Sequence, residues 1–567
     1  MDAYMAIVTP SLTSCGGERL SESAVARQTT YMALSLAAVA ALLLTVLVVL
    51  PLSAYLLLRI SVNKPPPSPP PPQAAGGDGR RRPLPPSPRG LPVLGHLHLL
   101  GSLPHRSLRS LARAHGPVML LRLGRVPAVV VSSAAGAEEV MRARDLAFAS
   151  RPRSAMADRL LYGSRDVAFA PYGEYWRQAR RVCAVHLLSA RRVASFRRVR
   201  EQEAAALVCR INKAAAAGGS GSAPVELAEL LAEYANAVVT RAAVGDECAR
   251  GLFDSGERGR KQRKVFTDFQ TLIGTEPVEE LLPWLGWVDA ARGLDAKVRR
   301  TFQALDGLLD KVIHDHRCRR RPRNDGDADD GDRRDFVDVL LDVQEHDKEI
   351  GVQLGTSEIK AIILDMFAAG TDTTSTAMEW AMAELVTHPR AMRKLQDEIR
   401  AAATVDEGRI SQLRYLKAVV KETLRLHVPV PLLVPRGPAA DAEILGYRVP
   451  ARTRVVINAW AIGRDPAAWD DAEEFVPERF LPDGPAAAVD YRGLDFRFVP
   501  FGAGRRGCPG LGLAEASIEM ALATLLYHFD WEAAGGAGPS SLDMTEMSGL
   551  AVHIKSGLPL VAKPWIP

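Results

Sequence analysis

One cysteine of this chain stands in a glycine-rich loop directly before a long helical segment. The sequence Phe501-Gly-Ala-Gly-Arg-Arg-Gly-Cys-Pro-Gly510 leads into the stretch Leu511 to Phe529, and four glycines flank Cys508. A helix N-terminus carries partial positive charge and free N–H donors, so it stabilises a thiolate. The six cysteines lie far apart with no CxxC pair, which argues against a disulfide framework, a zinc ribbon or an iron–sulfur cluster. The loop therefore predicts a single sulfur presented at the start of a helix.

A cation accompanies this cysteine. Arg506 lies two residues before it and is suited to binding carboxylates. A lone thiolate with a nearby arginine suits a haem, because the sulfur can take the proximal position on the iron while the cation pairs a propionate. The alternative is a nucleophilic cysteine, which needs a histidine as general base. None lies close in sequence, but a distant histidine would serve, so both interpretations stay open on the loop alone.

A long uncharged segment near the N-terminus predicts a membrane anchor. No charged residue lies between Arg27 and Arg59, and a membrane-spanning helix needs roughly 20 apolar residues. The run is longer than the apolar region of a cleaved signal peptide and starts later. Basic residues are concentrated on its C-terminal side, so the positive-inside rule places the main body in the cytosol.

The chain is expected to divide into four parts. Residues 1–27 are an N-terminal extension, 28–58 the transmembrane anchor, 59–90 a Pro-rich, semi-rigid linker, and 91–567 one large catalytic domain. The net charge of +5 over 567 residues is too small for a nucleic-acid-binding protein.

The catalytic domain is expected to be mainly α with small β-sheets. Its helical patterns are long, and short β-rich pieces separate them. The predicted helices are Glu201 to Ala217, Val298 to Arg317 and Ser357 to Thr387. The predicted strands are a hairpin over Val118 to Val131, with Gly124 near its turn and Pro127 on an edge strand, and the strand Arg452 to Ile457. The predicted disordered loops are Ala214 to Ala223 and Arg319 to Arg334.

The predicted helix Ser357 to Thr387 has a polar centre, Ala369-Gly-Thr-Asp-Thr-Thr-Ser375. Glycine, serine and threonine weaken a helix interior, so a local distortion is expected there. Gly370 would let a flat or bulky group lie against the backbone, and Asp372 beside Thr373 can relay protons into a dry site. A Ser/Thr kink with an exposed aspartate is the alternative, and the motif alone does not decide.

Several motifs together resemble those of the cytochrome P450 monooxygenases. The residues that carry the resemblance are the loop set Phe501, Gly504, Arg506, Cys508 and Gly510, the oxygen-activation segment Ala369 to Thr374, the Glu-x-x-Arg pair Glu422 and Arg425, the segment Pro477-Glu-Arg-Phe480, and Trp176-Arg-Gln-Ala-Arg180. The resemblance covers residues 84 to 567 and is, in detail, to plant microsomal A-type members of the seventy-one family. Ser87, Val428 and Gly437 depart from the family's pattern, and none of them touches the iron ligand.

The resemblance implies a role for individual residues. Cys508 is the implied axial ligand of the iron of haem b, and Asp372 with Thr373 the implied catalytic proton relay. Glu422, Arg425 and Arg479 are the implied structural network. The implied haem-binding residues are Trp176, Arg180, Ala369, Gly370, Arg436, Phe501, Gly504, Arg506 and Gly510. The implied pocket draws on Met156 to Phe169, Met366, Ala369, Val430 to Val434 and Met547 to Leu550, with Leu432 and Leu433 prominent.

The resemblance also implies an activity and its partners. A haem-thiolate monooxygenase activates O2 with electrons from a separate NADPH–cytochrome reductase, and hydroxylates or epoxidises a hydrophobic small molecule, here in plant specialised metabolism. The implied location is the endoplasmic reticulum membrane, single-pass, with the catalytic domain facing the cytosol and no nucleic acid bound. Two alternatives remain: a reductase-independent enzyme of the same fold that rearranges or dehydrates its substrate, and a non-catalytic haem-binding sensor.

Overall fold

The computed structural model describes residues 82–217, 223–252, 257–319, 334–346, 354–401, 404–535 and 542–566. All of them belong to the structural unit Arg80–Pro567. The predicted extension 1–27, the predicted anchor 28–58 and linker residues 59–81 lie outside the described residues, as do 218–222 and 320–333 of the two predicted loops. Within the described ranges, no helix combines the length and apolar character needed to cross a bilayer.

The described part of the chain is mainly helical, as predicted. It contains 18 α-helices: α1 (Pro104–His115), α2 (Ala134–Glu138), α3 (Ala155–Leu160), α4 (Glu174–Val182), α5 (Ala190–Ser195), α6 (Arg197–Ala217), α7 (Leu227–Leu252), α8 (Glu257–Ile273), α9 (Val278–Leu281), α10 (Gly286–Ala291), α11 (Leu294–Arg319), α12 (Phe336–His346), α13 (Thr356–Thr387), α14 (Pro389–Arg400), α15 (Glu407–Ile410), α16 (Arg414–Leu426), α17 (Ala459–Ile462) and α18 (Leu511–His528). Short 3-10 turns are Leu97–Leu99, Pro283–Leu285, Pro477–Phe480 and Gly504–Arg506, and π-turns are Glu139–Ala143 and Cys183–Leu187.

The three predicted long helices are confirmed as α6, α11 and α13. The distortion expected in the middle of α13 is wrong, because the helix is continuous over Thr356–Thr387. Its hydroxyl groups find acceptors inside the helix: Thr373 Oγ1 donates to Ala369 O at 2.6 Å, and Thr376 Oγ1 donates to Asp372 O at 2.7 Å. A hydroxyl that bonds the carbonyl four residues earlier can bend a helix, but here it does not interrupt the helix.

Small sheets complete the fold. The strands are β1 (Val118–Leu123), β2 (Val126–Val131), β3 (Pro224–Glu226), β4 (Ala442–Ile444), β5 (Tyr447–Val449), β6 (Arg454–Ile457), β7 (Phe529–Ala533), β8 (Glu546–Met547), β9 (His553–Ile554) and β10 (Pro559–Pro564). Among the described residues they form sheets of order β1-β2-β6, β3-β10-β7, β4-β5 and β8-β9. The predicted hairpin is β1–β2, with Gly124 at φ 60° in its turn.

The placement of Pro127 on an edge strand is wrong. β2 is the central strand of its sheet, because β6 pairs with it in parallel on the side away from β1. That parallel ladder begins at Ala128, opposite Arg454, so the missing N–H of Pro127 lies at the end of the ladder rather than within it.

Helix α13 passes through two separate apolar cores. Its first half, with Ile359, Ile363 and Phe367, packs into a core shared with α8, α11 and α12. Its second half, from Ala377 to Val386, packs into a core shared with α16 and α18. The polar segment Ala369 to Ser375 therefore lies between the two cores, where a cavity can open beside the helix.

Candidate functional site

A cavity of about 280 Å3 lies where the middle of α13 faces the loop before α18. Helix α13 contributes Met366, Ala369, Gly370 and Thr373, and the loop contributes Cys508. Among the described residues that line the cavity there is no histidine, so a nucleophilic cysteine would lack its general base here.

Cys508 is held by the loop immediately before α18. Its backbone N–H donates to Phe501 O at 2.9 Å, and Gly510 is the N-cap of α18. Burial raises the pKa of the Cys508 thiol, and the N–H groups of Gly510 and Leu511 with the charge of Arg180 only partly oppose it. The Cys508 side chain is open to the cavity, and the protein packed around the cavity outweighs the helix N-terminus in its effect on the pKa of the thiol. Metal coordination deprotonates a thiol outright, so this sulfur suits a metal ligand better than a free nucleophile.

Two glycines of the predicted site lie where the packing leaves no room for a side chain. At Gly504, with φ 66°, a Cβ would overlap the carbonyl oxygen of Met141. At Gly370, a Cβ would lie 2.8 Å from Val239 Cγ2 on α7. Gly370 also lines the cavity, and Val239 of α7 is the neighbour that a side chain there would meet first.

Four arginines line the cavity, and three of them were predicted from the sequence. Backbone carbonyls hold them: Arg506 donates to Ala149 O (2.7 Å), Val167 O (3.2 Å) and Ala170 O (2.6 Å), Arg180 to Gly507 O (2.6 Å), Arg436 to Ala503 O (2.7 Å), and Arg151 to Ala168 O (2.8 Å), Val434 O (2.6 Å) and Pro435 O (2.9 Å). Arg151 is the arginine that sequence reasoning missed.

These four cations make the cavity wall electrostatically positive. Burial lowers the pKa of each, and repulsion from Arg436 and Arg180 helps to lower the pKa of Arg506 to about 9. Arg436 has one carboxylate partner, Asp145, at 3.3 Å. Buried positive charge is costly unless an anion matches it. The side chains present therefore fit a ligand with two carboxylates and a metal, and haem b has both.

Two buried carboxyl groups, also missed from the sequence, fasten the wall of the cavity. Asp365 of α13 lines it and accepts hydrogen bonds from the backbone of Val167 (2.6 Å) and Ala168 (3.3 Å). Asp166 accepts from the backbone of Phe169 at 2.7 Å. Burial raises the pKa of both groups, and the nearby charge of Asp166 raises the pKa of Asp365 further.

The predicted proton relay is divided between two environments. Thr373 lies in the cavity wall, whereas Asp372 is not one of the wall residues. The carboxylate of Asp372 accepts from His553 Nε2 through Oδ1 at 2.9 Å and from Ala551 N through Oδ2 at 3.2 Å. Asp372 thus faces the C-terminal segment that contains β9.

The remaining predicted cofactor residues lie around the cavity, with one exception. Trp176 of α4, Ala369, Phe501 and Gly510 all line it, and Gly504 does not. The indole N–H of Trp176 donates to Val167 O at 3.0 Å, and the guanidinium of Arg506 lies 4.0 Å above its ring. Trp176 therefore packs against the arginine, and its indole N–H is directed at Val167 O.

The predicted network Glu422, Arg425 and Arg479 comes together away from the cavity. Arg425 donates to Glu422 at 2.7 and 2.8 Å, and Arg479 donates to Glu422 at 3.1 Å. All three side chains are buried, Glu422 and Arg425 completely.

The predicted pocket segments are only partly present in the cavity wall. Val430, Leu433 and Val434 line it, while Leu432 packs against the core beneath β1 and β2. The segment Met547 to Leu550 does not line it, and the Met547 side chain is exposed on the strand β8.

Comparisons with known proteins agree with this geometry. The family model for cytochrome P450 matches residues 85–560. Over 475 residues the chain is 48% identical to cytochrome P450 71A1 of Persea americana, covering 83% of this chain and 91% of that protein. Over 485 residues it is 46% identical to cytochrome P450 736A117 of Prunus mume, covering 85% of this chain and 90% of the relative.

A solved structure is also similar. A zebrafish cytochrome P450 with progesterone matches with a TM-score of 0.67 at 25% identity, over 81% of this chain and 99% of that one. The resemblance to cytochrome P450 monooxygenases, and to plant members of the seventy-one family, is confirmed by these matches. With a helical fold of small sheets, a single cysteine at the cavity and matches of this extent, the chain belongs to the cytochrome P450 family.

Proposed function

We propose that this protein is a haem-thiolate monooxygenase that uses O2 and reductase-supplied electrons to hydroxylate or epoxidise a hydrophobic small molecule. The observation that carries the proposal is the meeting of Cys508 and four arginines at one largely apolar cavity, with Arg436 and Arg506 buried and Arg151 and Arg180 half-buried. A haem bound with its iron on Cys508 supplies one-electron and O2 chemistry that no side chain can perform.

The chain's own residues would hold that group at two ends. The sulfur of Cys508 would bind the iron from the loop before α18. The guanidinium groups retain N–H donors beyond those given to backbone carbonyls, because each carries five. These donors would pair the haem propionates. The negative propionates would in turn neutralise the positive charge of Arg151 and Arg506, which is costly because it is removed from water.

The apolar residues of the cavity would bind the substrate, and Thr373 would supply protons. Met366, Val430 and Leu433 offer apolar surface, which excludes water and selects hydrophobic molecules. Thr373 of α13 lines the cavity, and its hydroxyl donates to Ala369 O. Turning its Oγ1 hydrogen from the carbonyl toward the cavity would place a proton where reduced oxygen needs it.

The partners and location follow the same proposal. Residues 28–58 would anchor the enzyme in the endoplasmic reticulum membrane, residues 59–90 would space it, and residues 91–567 would be the catalytic domain facing the cytosol. Electrons would come from an NADPH–cytochrome reductase. Substrates would be hydrophobic molecules of plant specialised metabolism, in line with the plant relatives that the chain matches.

Reconstitution tests the proposal. Purified protein, reductase and lipid vesicles are supplied with NADPH and screened by ligand-binding spectra against indoles, phenylpropanoids and terpenes. We expect at least one compound to displace water from the haem and to be oxygenated only when reductase and NADPH are present. Turnover without reductase would instead identify a rearranging enzyme, and ligand binding without turnover would identify a sensor.

A further inference from the structure

His553 on β9 is clamped between two carboxylates of α13. Its Nε2 lies 2.9 Å from Asp372 Oδ1, and its Nδ1 lies 2.9 Å from Glu379 Oε2. Glu379 is almost fully buried, while His553 and Asp372 are 25% and 19% exposed. The imidazole therefore fills the space between α13 and the C-terminal segment.

Both ring nitrogens face carboxylate oxygens, so both must donate for the two contacts to be favourable. Only the imidazolium has two N–H donors. Hydrogen bonds and charge from Asp372 and Glu379 overcome the burial of the ring and raise the pKa of His553 to about 10. The ring therefore carries a positive charge between two negative ones.

The backbone of the same segment completes the clamp. Ala551 N donates to Asp372 Oδ2 at 3.2 Å, and Ile554 N donates to Glu379 Oε1 at 3.2 Å. Both oxygens of Asp372 are thus occupied, on the side of α13 away from the cavity wall. Asp372 can approach the Thr373 side only by releasing these two bonds.

We propose that His553 is a positioning residue for proton delivery, which sets the resting orientation of Asp372 and so its availability to Thr373. The proposal rests on the proposed monooxygenase function and deepens it. His553 does not line the cavity, and besides Asp372 its ring contacts Glu379 and the hydroxyl of Thr376, at 3.2 Å. With these bonds in place, Asp372 is held outside the cavity, next to the partly exposed ring of His553. It would have to leave this position to deliver a proton to Thr373.

The segment that carries His553 has other anchors, so variants of this residue should fold. Trp380 Nε1 donates to Val552 O at 2.7 Å, and Val552 N donates to Pro429 O at 3.0 Å. A second histidine offers a matched control: His105 pairs with Glu546 of β8 at 2.9 Å and has no contact with Asp372. Losing His105 disturbs the same hairpin without touching the relay.

The test needs no known substrate. Reduction of O2 to hydrogen peroxide takes two electrons and two protons, which are one NADPH and one further H+, whereas reduction to two waters takes four electrons and four protons, which are two NADPH and two further H+. The reconstituted enzyme without substrate is supplied with NADPH, and the consumption of NADPH and O2 and the release of peroxide are measured. Poor proton delivery favours peroxide, so the ratio of peroxide to NADPH reports the relay directly.

We expect His553→Gln to lower peroxide per NADPH several-fold, since the neutral amide cannot pair both carboxylates and so releases Asp372 toward Thr373. His553→Arg, which retains a cation with donors for both, should restore most of the wild-type ratio, and His105→Gln should leave it unchanged. Hydrogen–deuterium exchange gives a readout independent of turnover: the amide of Ala551 should exchange faster in His553→Gln and not in His553→Arg.

The outcomes separate the two proposals. If the wild type gives no thiolate-type carbonyl spectrum and no NADPH-driven O2 consumption, the proposed function fails and this inference fails with it. If the wild type is active but His553→Gln leaves peroxide per NADPH unchanged, only the positioning role of His553 is overturned. A ratio that shifts equally in His105→Gln and His553→Gln also overturns it, because the effect then belongs to the hairpin.

Discussion

Replacement of Arg425 by methionine tests the buried ion network that links α16 to the 3-10 turn Pro477–Phe480. The Arg425 guanidinium is completely buried and gives two hydrogen bonds to Glu422. It also donates to the carbonyl groups of Gly463 (2.7 Å), Ala472 (2.7 Å) and Glu474 (2.9 Å). Methionine fills much of the same space and removes every one of these bonds.

The expected cost follows from what remains in Arg425→Met. Glu422 retains Arg479 at 3.1 Å and the backbone N–H of Val476 at 2.8 Å, so its charge is not left alone. Breaking one partner of a buried ion pair costs about 3–5 kcal/mol, and the three unsatisfied carbonyls keep the cost in that range despite Arg479. With an unfolding entropy of about 2 cal/mol/K per residue across Arg80–Pro567, Tm should fall by about 3–5 °C.

Differential scanning calorimetry of the haem-loaded protein measures this loss, with Arg414→Met as the matched control. Arg414 is exposed in the first turn of the same helix, α16. The control should move Tm by less than about 1 °C, as surface substitutions do. If Arg425→Met moves Tm no more than Arg414→Met, the buried network does not hold this part of the fold together, and the reasoning is refuted.

Three further predictions concern the cavity and the helix beneath it. Thr373→Val removes the hydroxyl of the proposed relay and should raise peroxide released per NADPH, measured in the reconstituted enzyme; unchanged coupling would contradict the relay. Arg506→Met removes a proposed propionate partner, so haem should transfer to apomyoglobin several-fold faster than from the wild type. Burial raises the pKa of Glu519 to about 7, so the folded state binds the extra proton and stability falls as pH rises from about 4.5 to 7. In urea unfolding, Glu519→Gln should therefore gain up to about 3 kcal/mol relative to wild type between pH 5 and pH 8, and a pH-independent difference would refute it.

The local features of this protein were readable from its sequence. The loop around Cys508, the hairpin β1–β2 and the long helix α13 each depend on neighbours in the chain, namely glycine, turn residues and helical periodicity. The partners that complete the site are not neighbours. His553 lies 181 residues after Asp372, and β6 joins β2 from a distant part of the chain. No periodicity in either segment predicts that His553 pairs with Asp372 or that β6 pairs with β2.

One missed feature had a signal in the sequence. Asp365, Asp372 and Glu379 are spaced seven residues apart, which places them along one face of a helix with 3.6 residues per turn. Neighbouring residues of a helix project about 100° apart, so Asp372 and Thr373 project in different directions, and only Thr373 of the two lines the cavity. The polar stripe also indicated buried carboxylates with partners, although not which partners.

The carbonyl spectrum of the ferrous protein tests the assignment of Cys508 most directly. Wild-type protein should give the thiolate-type Soret band. Cys508→Ser, if it retains haem, should give only the band of a haem without thiolate, and Cys209→Ser, at an exposed position, should be unchanged. A thiolate-type band that persists in Cys508→Ser would mean that another group binds the iron, and the account of this cavity would be wrong.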